Sequence, residues 1–133
     1  MSAERIIYLD SSAIVKLVVR ETESNALIRY LVRRRPLVSS ALARTEVARA
    51  TLALGDAVAK RCQDVLDRLE LVRINDRILS TAGIILPAET RSLGAIHLAT
   101  AKLLGVTLRR LVTYDARMVV AAKALGLPVI SPG

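Results

Sequence analysis

The chain has 133 residues and is 53% hydrophobic, yet its only aromatics are three tyrosines, so the core must be built from Leu, Ile, Val and Ala. At this length one domain spanning residues 1–133 can bury roughly two-thirds of its unfolded surface without disulfide or metal staples. The net charge of +8, with Arg far outnumbering Lys, favours a polyanionic partner through counterion release, while the scarcity of rings excludes base stacking as the main mode of recognition. No apolar run approaches the ~20 residues of a membrane span, no basic-then-apolar leader opens the chain, and the single cysteine, Cys62, has no partner for an internal disulfide. A cytoplasmic protein without a membrane contact is expected.

Taken in order, Ile6-Ile7-Tyr8-Leu9 is a short apolar run of β-favouring residues, which reads as a strand buried on both faces. It stops at Asp10, and two hydroxyl residues suited to a helix N-cap follow before a helical pattern over Ala13 to Arg20. A second helix is expected over Glu21 to Arg34, with Ala26, Leu27, Tyr30 and Leu31 on one face and Pro36 beyond its end. The Arg33-Arg34-Arg35 run reads as a solvated helix end sooner than a nucleic-acid contact. Leu37 to Ser40 is a second strand, followed by a helix over Ala41 to Leu54 that Gly55 breaks. Asp56 caps the next helix, expected to run to Leu69 with Ala57, Val58, Cys62, Val65, Leu66 and Leu69 inward.

Leu71 to Ile74 is a third strand, and Asn75 or Asp76 caps a helix that ends near Ala82. Pro87, Glu89 and Thr90 fall in a loop. Ser92 caps a helix to Leu104, Leu111-Val112-Thr113 is a fourth strand, Asp115 opens a helix to Leu125, and Pro128-Val129-Ile130 is an edge strand, where Pro is tolerated. Strands that alternate with helices imply right-handed crossovers, a mainly parallel sheet and helices on both faces.

Carboxylates gather near the strand ends. Asp10 follows the first strand, Asp115 follows the fourth, and Glu46 lies one turn into the helix after the second, with apolar or small neighbours at 42, 43, 47 and 48. In open parallel sheets ligands collect at the carboxyl edge. Each acid also has a plain structural reading: Asp10 as a helix cap, Glu46 as a surface ion pair. Three acids converging on one edge would repel one another unless a cation neutralised them, and hard oxygen donors with few His or Cys suit Mg²⁺ or Mn²⁺. Ions bound there activate water and stabilise the charge of phosphodiester cleavage.

Four segments together, Tyr8-Leu9-Asp10-Ser11-Ser12-Ala13, the helix bearing Glu46, Leu93-Gly94-Ala95-Ile96-His97-Leu98-Ala99-Thr100-Ala101 and Val112-Thr113-Tyr114-Asp115, resemble the PIN-domain ribonucleases. The likeness is to the VapC toxin branch of bacterial toxin–antitoxin pairs, and it covers essentially the whole chain. It implies an α/β three-layer sandwich with a mainly parallel five-stranded sheet and a Mg²⁺- or Mn²⁺-dependent endoribonuclease. It also implies a homodimer and a cognate antitoxin. The family's acids carry over onto Asp10, Glu46 and Asp115 as metal-binding and catalytic positions, with Ser11 and Thr113 as supports for acids or water.

One position departs from the pattern: Gly94 stands where the family usually has Asp. The first turn of a helix favours a carboxylate and disfavours Gly by about 0.5–1 kcal/mol relative to Ala, so local physics gives no motive for it either. The departure is read as a weakened nuclease, by natural attenuation or by a substitution that tames a toxic enzyme; Glu89 is a poor stand-in from the preceding loop. His97, the only histidine, reads as a packing residue with a hydrogen bond sooner than a general base, and Arg117 as a solvated helix start or a phosphate contact. A haloacid-dehalogenase phosphatase also begins with a strand ending in Asp, but wants a second Asp where this chain has Ser12. A non-catalytic module that binds RNA or antitoxin is the remaining alternative. The helical pair over Ala41 to Leu69, with Ile14, Val18, Ile28 and Leu31, is expected to leave an apolar surface for an antitoxin or a second copy.

Overall fold

Alternating strand and helix patterns resolve into one five-stranded sheet in a computed structural model that describes residues 4–133. Its strands are β1 (Ile6–Leu9), β2 (Leu37–Ser40), β3 (Glu70–Val72), β4 (Leu108–Val112) and β5 (Val129–Ile130). All pair in parallel, in the spatial order β3-β2-β1-β4-β5. The helices are α1 (Ser11–Val18), α2 (Ser24–Leu31), α3 (Ala43–Thr51), α4 (Asp56–Asp67), α5 (Asp76–Gly83), α6 (Ser92–Leu103) and α7 (Ala116–Ala124).

β1 is the centre of the sheet because its residues can be buried on both faces. Ile7 and Leu9 pack into an aliphatic core with α1 to α4, whereas Tyr8 faces a second core with Ile78 of α5, Leu98 of α6 and Met118 of α7. The result is the expected three-layer sandwich. From β1 the chain moves outward through β2 to β3, then crosses back to place β4 on the other side of β1. That reversal is a topological switch point, where the loops leaving adjacent strands part and open a cleft at the carboxyl edge.

Several boundaries differ from the sequence reading. The second helix covers only Ser24–Leu31, so Arg33 to Arg35 lie in the connection to β2, with Arg34 stacked 4.0 Å from the Tyr30 ring centroid. The helix expected to Leu54 is α3 followed by a 3₁₀ turn over Leu52–Leu54, and Gly55 ends it at φ 93°, a conformation that glycine adopts without strain. Ala57 is exposed instead of inward. β3 stops at Val72, and β4 begins at Leu108, three residues before the expected start. The N-cap of α6 is Arg91, not Ser92, and its side chain makes no capping bond.

The expected apolar surface is largely core: Ile14, Val18 and Leu31 are buried, while Ile28, Leu52 and Leu54 remain exposed. Among the described residues no helix is long and apolar enough to cross a membrane.

Candidate active site

Asp10 closes β1 and starts α1. It is the N-cap, in extended conformation, and its Oδ1 accepts from the Ala13 backbone N–H at 3.0 Å and from Ser12 Oγ at 2.7 Å. Its Oδ2 accepts from Thr113 Oγ1 at 2.6 Å. Thr113 reaches it because β4 lies beside β1, with Asp10 N–H donating to Val112 O at 3.2 Å. Two further bonds tie the strand ends together: Tyr114 N–H donates to Ser12 Oγ at 2.9 Å, and Asp115 N–H donates to Thr113 Oγ1 at 3.1 Å. Only 3% of Asp10 is exposed. Burial pushes its carboxyl above the ordinary value, and the Thr113 and Ser12 hydroxyls only partly offset that.

Glu46 arrives from the first turns of α3 and is held by groups distant in sequence. Its Oε1 accepts from Ser11 Oγ in a short bond and lies 2.6 Å from His97 Nε2. On the far side of the ring, His97 Nδ1 lies 2.7 Å from the Tyr8 hydroxyl. Burial would push the Glu46 carboxyl up, but the His97 and Ser11 hydrogen bonds outweigh it and hold the group below its ordinary value. No hydrogen bond among the described residues occupies Oε2.

Asp115 caps α7, with Oδ1 accepting from the Arg117 and Met118 N–H groups at 2.9 and 3.3 Å. It is exposed. Asp10, Glu46 and Asp115 line one open cavity of about 1080 Å³, whose wall also contains Ser11, Ser12, Glu89, Thr90, Arg91, Gly94, His97 and Arg117. Four carboxylates therefore face two guanidiniums inside a chain whose overall charge is +8.

Gly94 is on this wall too. Its φ is not in the left-handed region, and a Cβ built on it would make ordinary contacts, 3.4 Å to Met118 Cε and 3.9 Å to Thr90 Cγ2. Neither backbone nor space requires glycine. Beside it the buried Thr90 hydroxyl has no hydrogen-bond partner among the described residues.

The acids thus meet in one cavity, yet among the described residues no three His, Cys, Asp or Glu groups form a ready-made ligand cluster. Mg²⁺ is commonly held by one or two carboxylates and completes its shell with water, and a buried, under-compensated Asp10 beside an exposed Asp115 fits that demand. Of the two expected supports, Ser11 donates to Glu46 and Thr113 donates to Asp10. His97 is buried and hydrogen-bonded, as the sequence reading had it; its partners Tyr8 and Glu46, and the bonds of Ser12, were not assigned, because an Asp-Ser-Ser start looks like any helix cap and His97 is separated from Tyr8 by 89 residues.

The PIN domain family profile matches residues 7–124. The chain is 60% identical over 126 residues to Ribonuclease VapC46 of Mycobacterium tuberculosis, covering 95% of this chain and 97% of that one. In structure it is similar to the sarcin-ricin loop cleaving toxin VapC20 of Mycobacterium tuberculosis, with a TM-score of 0.76 at 14% identity over 95% of this chain and 99% of that one. A toxin–antitoxin complex from Klebsiella pneumoniae gives a TM-score of 0.72 at 19% identity, covering 96% and 98%. A switch-point cleft lined by Asp10, Glu46 and Asp115 and a full-length likeness at 60% identity lead to one conclusion: the chain belongs to the PIN-domain family, within its VapC branch.

Proposed function

We propose that this chain is a cytoplasmic endoribonuclease toxin of a toxin–antitoxin pair, dependent on Mg²⁺ or Mn²⁺ and slowed by the absence of an acid at position 94. The observation that carries the reading is the convergence of Asp10, Glu46 and Asp115, which are far apart in sequence, on one cavity at the switch point of the sheet. A divalent ion bound there would supply a polarised water and neutralise charge on the scissile phosphate. Asp10 and Asp115 would hold it, Asp10 fixed in place by Thr113 and Ser12, and Asp115 by the start of α7. Glu46, fixed by Ser11 and His97, keeps Oε2 available to orient water.

RNA is the substrate that the surrounding charge favours. Arg91 and Arg117 line the cavity, and Arg44, Arg73 and Arg77 are exposed in the elements that follow β2 and β3 at the same edge. An acidic floor within an arginine rim binds phosphates by backbone contacts, as a chain almost without aromatics must. The partner of the pair is a cognate antitoxin, a reading supported by the likeness to a toxin–antitoxin complex. Homodimerisation is supported by apolar residues left in water, Ile84 at 81% and Leu86 at 67% exposed. A non-catalytic RNA- or antitoxin-binding module is favoured by one observation, Gly94.

The deciding experiment measures RNA cleavage by the chain and by Gly94→Asp over a Mg²⁺ and Mn²⁺ titration. Slow or undetectable cleavage by the first and metal-dependent cleavage by the second is expected. Equal rates would remove position 94 from the site, and no cleavage by either would leave the binding module.

A further inference from the structure

We propose that His97 and Tyr8 are positioning residues for Glu46: a buried Tyr8–His97–Glu46 chain of hydrogen bonds fixes the imidazole as its Nε2–H tautomer and the carboxylate in one orientation toward the cavity. The effect on cleavage rests on the nuclease reading above; the tautomer does not.

Each link constrains the next. Glu46 Oε1 stands 2.6 Å from Nε2, and a carboxylate oxygen cannot approach an imidazole lone pair so closely without a proton between them. The proton belongs to Nε2, because Glu46 Oε1 already accepts from Ser11 Oγ and so faces the ring as an acceptor. A neutral ring then presents a lone pair at Nδ1, and the Tyr8 hydroxyl lies 2.7 Å from it. Tyr8 can supply that proton through its phenolic O–H. The neighbouring hydroxyls do not compete as donors to Nδ1: Ser39 Oγ donates to Leu9 O at 2.6 Å and Thr100 Oγ1 to Ile96 O at 2.7 Å.

Packing holds the ring as firmly as the hydrogen bonds do. The Tyr8 and His97 rings meet edge to face, with centroids 5.8 Å apart and planes at 74°. His97 is 2% exposed, and its Nε2 faces Glu46 and, at 3.2 Å, Ser11 Oγ. A general-base role would need that nitrogen free for a substrate proton, and it is already committed. Its work is done through Glu46, whose Oε1 takes both the imidazole and Ser11 while Oε2 stays uncommitted. Outer partners of this kind typically change metal affinity or activity by about 10–100-fold when removed.

As the only histidine, His97 gives the only imidazole ¹⁵N signals of the chain. In labelled, metal-free protein at pH 8, Nε2 is expected to resonate as protonated and Nδ1 as unprotonated, and Tyr8→Phe is expected to shift Nδ1 and mix the tautomers. In the Gly94→Asp background, His97→Ala is expected to lower kcat about 10–100-fold with little change in KM, and His97→Gln, which keeps an amide donor, to recover part of the loss. An Nδ1–H tautomer in the wild type overturns the proposal, as does full kcat in His97→Ala. If Gly94→Asp itself cuts no RNA, the nuclease reading falls, and the wild-type tautomer alone decides this one.

Discussion

The two ends of the cavity are finished to different degrees. At the β1–β4 end every polar group is answered: Asp10 takes three donors, and the hydroxyls that serve it also receive the Tyr114 and Asp115 N–H groups. At the α6–α7 end, Gly94 leaves room against Met118, and Thr90 keeps a buried hydroxyl with no partner. A buried hydroxyl without a partner costs free energy, so a finished site would not be expected to keep one. The contrast is the one that the proposed loss of an acid at 94 would leave: an open end with a buried hydroxyl beside it.

The largest effect should come from supplying it. Gly94→Asp adds an oxygen donor to the open end, and cleavage of RNA in Mn²⁺ is expected to rise about 100-fold or more, the scale of a correctly placed acid–base group. Rate measurements with both proteins at matched metal concentrations check this.

Next in size is the opposite operation at the finished end. In the Gly94→Asp background, Asp10→Asn should remove metal-dependent cleavage. In the metal-free chain the same substitution should raise the melting temperature, because Asn keeps the capping oxygen and removes a buried charge. The linkage has a definite sign. Burial raises the folded-state value of Asp10 above its ordinary 3.8, so in the interval between the two the native state binds more protons than the unfolded state. This contribution to stability is present at low pH and is lost as pH rises through the folded value. Denaturant midpoints of the two proteins across that interval should converge on acidification; a constant gap would show that Asp10 carries no such penalty.

How much of this was legible in the sequence depended on the range of the interaction. Strand β1 and its stop at Asp10 are local facts, a run of four β-favouring residues ending in a polar group, and the glycine breaks are local too. The convergence of Asp10 with Asp115 followed from topology, since both end strands of one parallel sheet. The partners of Ser12 and His97 were not legible. Ser12 acts across 102 residues on Tyr114, and His97 across 51 on Glu46, contacts that no periodicity encodes. Helix ends were misplaced because intrinsic propensities are weak: the helix expected to reach Leu54 closes in a 3₁₀ turn over Leu52–Leu54, and α2 starts at Ser24, whose hydroxyl accepts from the Glu21 N–H and donates to Lys16 O.

Two threonines turn the comparison into a stability measurement. Thr113→Val removes a donor from the buried Asp10 and should cost about 1–3 kcal/mol of unfolding free energy, read from urea denaturation. Thr90→Val removes a hydroxyl that answers nothing and should change stability by no more than about 0.5 kcal/mol, or raise it slightly.

The coupling between Thr90 and position 94 is the most diagnostic effect. If the Thr90 hydroxyl is the waiting partner of an acid at 94, Thr90→Val should become costly once Gly94→Asp is present. A carboxylate built on a Cβ that stands 3.9 Å from Thr90 Cγ2 is within reach of the neighbouring Oγ1. The hydroxyl would then donate to a charged group, a bond worth about 1.5–3 kcal/mol. A double-mutant cycle over Thr90→Val and Gly94→Asp should therefore give a coupling energy of at least about 1 kcal/mol in metal-free protein. Additive effects would mean that Thr90 is indifferent to the acid, and the open end of the cavity would then be an ordinary surface cleft.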